Sequence, residues 1–119
     1  MHCVESMPLS ELQRAHVTKK LQALADRVPI HVRDKLRIEF RLGPSDVVLL
    51  ENRPDFRDPS RTVEHEVAKF RFVAAADEWH LFCQFRDLKW RTYQPLPSAP
   101  DFDTLLDEVN RDPTGIFWG

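Results

Sequence analysis

The sequence predicts an α+β fold, in which an N-terminal helix packs on a curved antiparallel meander of about five strands and a short C-terminal helix and a docked closing segment follow. Two observations predict it. Apolar residues recur at helical spacing near both ends of the chain, and between them, over about residues 34–94, they alternate with charged residues. The connections in this middle part are too short for the crossovers of parallel strands. We expect residues 1–119 to form one domain.

The first helix is predicted over about residues 10–28. Ser10-Glu11-Leu12-Gln13 fits a capping box, in which the serine and glutamine side chains satisfy first-turn amides. Pro29 disfavours helical geometry in the residue before it and ends the segment. The apolar stripe that follows the cap comprises Val17, Leu21, Leu24 and Val28.

The meander is read from alternation and turn residues. We expect strands over 34–42, Val47–Asn52, Thr62–Ala74, Trp79–Arg86 and Leu88–Gln94. The third strand should contain a bulge, because its apolar set shifts from Val63 and Val67 to Ala68, Phe70 and Phe72. The loop Arg53–Arg61 holds two prolines and five charges around a lone Phe56, and it is the best loop candidate for function.

The C-terminal part begins with a proline-rich linker at residues 95–100. A helix is predicted over about 101–111, with Asp101 as its cap and an apolar face at i, i+3, i+4 and i+7. The closing segment, residues 112–119, ends in Ile116-Phe117-Trp118-Gly119 and is apolar enough that we expect it to dock on the core.

Composition limits the classes of function. The net charge of −2 argues against affinity built on neutralising nucleic-acid phosphates, and residues 94–119 hold one basic against five acidic residues, a local charge of −4. Cys3 and Cys83 are poor candidates for a disulfide, which suits a reducing cytoplasm. No signal peptide or membrane span is evident, so we expect a cytoplasmic protein without membrane contact.

Several motifs together identify a family. They are Glu51-Asn52-Arg53-Pro54, Ala68-Lys69-Phe70-Arg71-Phe72, Trp79-His80-Leu81-Phe82, Asp87-Leu88-Lys89-Trp90-Arg91-Thr92-Tyr93 and Phe117-Trp118-Gly119. In this order they resemble the bacterial family known as domain of unknown function 3024, over nearly the whole chain. The family pattern has histidine where this chain has Arg91, and the resemblance implies no established activity.

The ionisable residues of these motifs form a candidate polar site. They are Glu51, Arg53, Lys69, Asp87 and Lys89. As a functional site, Arg53 and Lys69 would bind an anion while Glu51 or Asp87 acts as acid, base or metal ligand. The alternative is a ladder of salt bridges on a solvated sheet face.

The aromatic and metal-ligating residues give weaker signals. Phe82 and Tyr93 alternate onto the charged face and are candidate aromatic contacts, for example for a nucleic acid, although that partner is not favoured. His65, His80 and Cys83 lack a fourth ligand, so we expect no metal and no cofactor.

Three functions stay open at this point. The first is a small soluble binding or adaptor module that engages an anionic ligand or a protein through the charged sheet face and the 53–61 loop. The second is a metal-assisted enzyme acting on a phosphate-containing substrate, for which a complete catalytic signature is missing. Glu66 and Lys69 have one residue too many between them for the carboxylate–lysine pair of a nuclease. They share a face of the sheet only if a bulge shifts the alternation between them. The third is a self-associating structural protein.

Overall fold

The computed structural model describes residues 8–32 and 35–118. Cys3, the predicted strand start at Asp34, and Gly119 therefore lie outside the described residues. The described part has two α-helices and six strands. These are α1 Glu11–Ala25, β1 Arg37–Leu42, β2 Asp46–Pro54, β3 Thr62–Val73, β4 Glu78–Gln84, β5 Trp90–Thr92, β6 Ser98–Ala99 and α2 Phe102–Arg111. Every strand pair is antiparallel in the order β1-β2-β3-β4-β5, with β6 also paired to β4, which confirms the predicted α+β fold.

The first helix begins as its sequence predicts. The backbone N–H of Gln13 donates to the Ser10 hydroxyl at 3.1 Å, and the backbone N–H of Ser10 donates to the Gln13 side chain at 2.8 Å. The helix ends at Ala25, three residues before the predicted end, and Val28 is buried in the turn that follows. No helix in the described ranges is long and apolar enough to cross a membrane.

Both helices lie on one face of the sheet, which we call the covered face. The buried sheet residues on this face include Val47, Leu49, Ala68, Phe70, Trp79, Leu81 and Cys83. Phe102 of α2 packs against Phe70 and Trp79 with ring centroids 4.8 and 5.3 Å apart. Asp103 joins the two helices, since its carboxylate lies 2.7 Å from His16 Nε2 and 3.5 Å from Lys20 Nζ. The opposite side of the sheet is the outer face.

The predicted bulge in β3 is present at Val67. Leu49 pairs with Ala68 and the next residue, Leu50, pairs with Glu66, so Val67 is the extra residue. Strict alternation resumes on either side of it. The bulge therefore decides which face each residue from Thr62 to Glu66 occupies.

Two connections differ from the predictions. The loop after β2 covers residues 55–61, because β2 continues to Pro54, and a 2.9 Å bond from Asp55 N to Arg61 O closes it as an ordered hairpin. The predicted linker contains β6, in which Ala99 pairs with Trp79. This two-residue strand is too short to show a periodic pattern.

The closing segment docks as predicted. Asp112 follows α2 in the left-handed conformation with φ 46°, and its carboxylate accepts from the backbone N–H of Phe117 at 3.1 Å and of Trp118 at 2.9 Å. Phe117 is 1% exposed and its ring centroid lies 4.8 Å from that of Tyr93. Trp118 Nε1 donates to Val109 O at 3.0 Å.

Candidate functional site

The covered face continues past its buried part into an exposed end. The β2–β3 register places Glu51 opposite His65 and Arg53 opposite Val63, so these four side chains share the face on which the helices lie. Glu51 is 7% exposed, whereas Arg53, Val63 and His65 are open to solvent. The long β2–β3 hairpin thus carries the sheet beyond its hydrophobic core.

Two open pockets meet at this end of the sheet, and we call them together the distal groove. The first, of about 420 Å³, is lined by Arg53, Pro54, Asp55, Phe56, Val63 and His65. The second, of about 770 Å³, is lined by His65, Gln84, Phe85, Arg86, Asp87, Leu88, Arg91, Gly115 and Ile116. His65 belongs to both linings, and the closing segment supplies one wall of the second pocket.

The distal groove concentrates exposed apolar side chains. Six large apolar residues of the described part are exposed, and four of them line the groove: Phe56, Val63, Phe85 and Leu88. Leu88 is 70% exposed and has a φ of 61°, a left-handed conformation that is uncommon for leucine. An exposed apolar residue held in such a conformation is more typical of a contact surface than of a folding requirement.

Ion pairs fix the charged side chains along the groove. Arg53 forms an ion pair with the buried carboxylate of Glu51. Arg91 Nη2 lies 2.6 Å from Asp87 Oδ2, and its guanidinium lies over the Phe85 ring at 4.9 Å from the centroid. These contacts hold both guanidiniums in place while leaving them solvent-accessible.

The β4–β5 turn is ordered around Asp87. Its Oδ1 accepts from the backbone N–H of Lys89 at 3.1 Å, and Leu88 N donates to Phe85 O at 2.9 Å. The backbone N–H of Lys89 lowers the pKa of the Asp87 carboxyl, and the guanidinium of Arg91 lowers it further. Asp87 is therefore ionised at neutral pH and holds the turn that presents Leu88.

The five residues of the predicted polar site do not form one cluster. Glu51 and Arg53 are paired on the covered face, and Asp87 and Lys89 belong to the β4–β5 turn. Lys69 pairs with Val48 and so projects from the outer face, where its Nζ lies 3.7 Å from Asp46 Oδ2 and 5.9 Å from the Trp90 ring centroid. A site that combines Glu51 with Lys69 would have to reach through the sheet.

The expectation that Tyr93 is exposed is wrong. The residue is 2% exposed, and its hydroxyl donates to Glu108 Oε2 at 2.8 Å beneath α2. Burial raises the pKa of the Tyr93 hydroxyl, and its bond to Glu108 raises it further. Phe82 is half-buried on the outer face between Lys69 and Thr92, its cross-strand neighbours.

The outer face is a ladder of paired polar groups. Arg41 Nη2 lies 2.6 Å from Glu64 Oε1, and Gln84 Nε2 donates to Glu66 Oε1 at 3.0 Å. The bulge does place Glu66 and Lys69 on this same face, as the nuclease hypothesis requires. Each is nevertheless engaged by another side chain, and the described residues include no group of three or more side chains arranged to hold a metal ion.

Sequence reasoning missed the residues that build most of the groove. Val63, His65, Phe85, Leu88 and Ile116 were assigned to strands, a turn and the closing segment without a shared location. Their one detectable signal is that apolar residues, Phe85 and Leu88, flank the polar pair Arg86-Asp87 where a turn should be wholly polar.

Comparison with known proteins gives one match. A family model described as a domain of unknown function (DUF3024) matches residues 9–119. No curated protein and no solved structure matches the chain. The match confirms the resemblance seen in the motifs and leaves function to be argued from the distal groove.

Proposed function

The chain belongs to the DUF3024 family, and we propose that it is a protein-binding module that holds a segment of a partner protein in the distal groove. The observation that supports this proposal best is the concentration of four exposed apolar side chains along two pockets that share His65 in their linings. Contiguous apolar surface with a polar rim is typical of protein interaction sites.

The rim has the composition of an interaction site as well. Arg53 and Arg91 border the apolar side chains, and each is oriented by a carboxylate. Arginine and aromatic residues are enriched at the centres of protein interfaces, where a preordered side chain loses little entropy on binding. Arg91 stacked on Phe85 combines both features.

The geometry gives less support to the other candidate functions. Arg53 lies on the covered face and Lys69 on the outer face, which gives little support to an anion site that combines them. Stacking of single-stranded nucleic acid on Tyr93 is blocked by its burial. The outer face offers ion pairs that already satisfy one another, which contribute little to a binding surface.

A selection experiment tests the proposal directly. A displayed library of random peptides is panned against the full chain, and the tightest selected peptide is titrated into wild type and into a Phe56→Ser, Leu88→Asn double variant. The two residues are 89% and 70% exposed, so the substitutions leave the core intact, and asparagine tolerates the left-handed backbone at position 88. We expect the affinity to fall about tenfold or more, as for truncated interface anchors.

Leu12→Ser is the matched control. Leu12 is 84% exposed on α1 and lines neither pocket of the groove. The Leu12→Ser variant should bind the selected peptide with the affinity of wild type. Failure to select any peptide, or equal affinity of the double variant and the control, would overturn the proposal.

A further inference from the structure

Strand β3 has an open backbone edge beside the distal groove. It pairs with β2 from Thr62 to Arg71, but with β4 only from Lys69 to Val73. Residues Thr62–Glu66 therefore have a strand neighbour on one side and, within the described residues, none on the other. At about 3.4 Å per residue this edge is about 17 Å long, which is enough for a strand of five residues.

The open edge has neither proline nor lysine, which often protect exposed strands, although the bulge at Val67 borders it. Its sequence is Thr62-Val63-Glu64-His65-Glu66, with two β-branched residues. Its two carboxylates lie on the outer face and are engaged by Arg41 and Gln84. The groove side of the edge, which Val63 and His65 occupy, therefore carries no carboxylate.

The groove lies where the side chains of an added strand would project. Val63 and His65 of the open edge face the groove, and Phe85, Leu88 and Arg91 form its far side. Side chains alternate along a strand, so every second residue of an added strand would enter the groove while its backbone pairs with β3.

The apolar lining limits the possible segments, because the charges of the groove balance. The two linings contain Arg53, Arg86 and Arg91, against the carboxylates of Asp55 and Asp87. Arg91 is bound by Asp87 and Arg53 by Glu51, so neither arginine adds an uncompensated positive charge. The groove therefore favours apolar side chains in the partner.

We infer that the bound segment is an extended peptide with apolar residues at alternate positions, and that it adds to the sheet as a strand along Thr62–Glu66. This inference rests on the proposed function and specifies its binding mode. Backbone hydrogen bonds supply affinity, and the groove reads alternate side chains. The β4–β5 turn and the closing segment bound the site on its far side.

Backbone methylation of the selected peptide tests the binding mode. Each N–H along the tightest selected peptide is replaced in turn by N-methyl, and the affinity for the full chain is measured. An added strand has only alternate N–H groups facing β3, so we expect losses of about tenfold at every second core position and little change between them. Selected sequences should carry apolar residues at alternate positions.

Hydrogen exchange on the protein side provides a second readout. Saturating selected peptide should slow exchange of alternate backbone amides within Thr62–Glu66, while those of β1, the opposite edge strand, remain unchanged. A peptide that binds through Phe56 and Leu88, but shows neither alternating N-methyl losses nor protection at Thr62–Glu66, overturns the strand addition and leaves the proposed function standing. A library that yields no binder overturns both.

Discussion

Replacement of Asp112 tests how the closing segment forms the wall of the groove. Its carboxylate accepts the backbone N–H groups of Phe117 and Trp118 at 3.1 and 2.9 Å, and its φ of 46° suits glycine. Asp112→Gly therefore keeps the backbone turn and removes both acceptors. Hydrogen bonds to charged groups contribute about 1.5–3 kcal/mol each when buried. Because these amides are only half-buried, we expect a combined loss of about 2–3 kcal/mol from the two bonds. The entropy cost of glycine, about 0.5–1 kcal/mol, is offset because glycine adopts the left-handed backbone without strain.

Urea denaturation followed by circular dichroism measures this loss. Domains of this size have total stabilities of about 5–15 kcal/mol, so the variant should remain folded. Asp112→Asn is the matched control, because it tolerates the left-handed conformation and keeps one neutral acceptor, and it should lose about 1 kcal/mol. The selected peptide should also bind Asp112→Gly more weakly, since Gly115 and Ile116 line the groove. A free energy of unfolding for Asp112→Gly within about 0.5 kcal/mol of wild type would refute this account of docking.

Three further predictions concern individual side chains. Tyr93 is the only tyrosine, so the absorbance of tyrosinate reports on it alone. Its raised pKa predicts a titration midpoint above about 10 in the folded protein. The contribution of Tyr93 to stability should be intact below about pH 10 and should be lost as the pH rises through the folded-state pKa. A midpoint at or below that of urea-unfolded protein would contradict its burial. Lys69→Ala should change the free energy of unfolding, measured by urea denaturation, by about 1 kcal/mol or less. It should leave the affinity for the selected peptide, measured by titration, unaltered. Weaker peptide binding would implicate the outer face. Burial raises the pKa of the Cys83 thiol, so peptide mapping should find it alkylated far more slowly in native than in unfolded protein, and equal rates would argue against a closed core.

Local signals in the sequence were sufficient for much of the fold. The capping box at Ser10 and the bulge at Val67 can both be recognised from a few neighbouring residues, and both features are present. The strand β6 gave no such signal, because two residues show no period. Glu51 and Lys69 project from opposite faces because of the β2–β3 register. A shift of one residue in that register would move every side chain of one strand to the other face.

Tyr93 and Arg91 show why charge along a strand is a poor guide to exposure. They are two residues apart and share the covered face, since Arg91 pairs with Cys83 and Tyr93 N bonds to Leu81 O. The sequence predicted Phe82 and Tyr93 on one charged face, whereas Phe82 lies on the outer face and Tyr93 on the covered face. That face is closed over Tyr93, by Glu108 and Phe117, and open at Arg91. Exposure is therefore decided by where the helices and the closing segment end.

The bulge at Val67 determines the chemistry of the distal groove. With uninterrupted alternation from Ala68, the covered face would receive Glu66 and Glu64, while His65 and Val63 would point outward. The groove would then carry two carboxylates in place of Val63 and His65, and it would suit an apolar segment less well. One inserted residue instead directs the carboxylates to the outer face, where Gln84 and Arg41 bind them. The β3–β4 ladder ends at Lys69, two residues from this bulge, so the side chains that the bulge reassigns lie on the stretch of β3 whose edge is open.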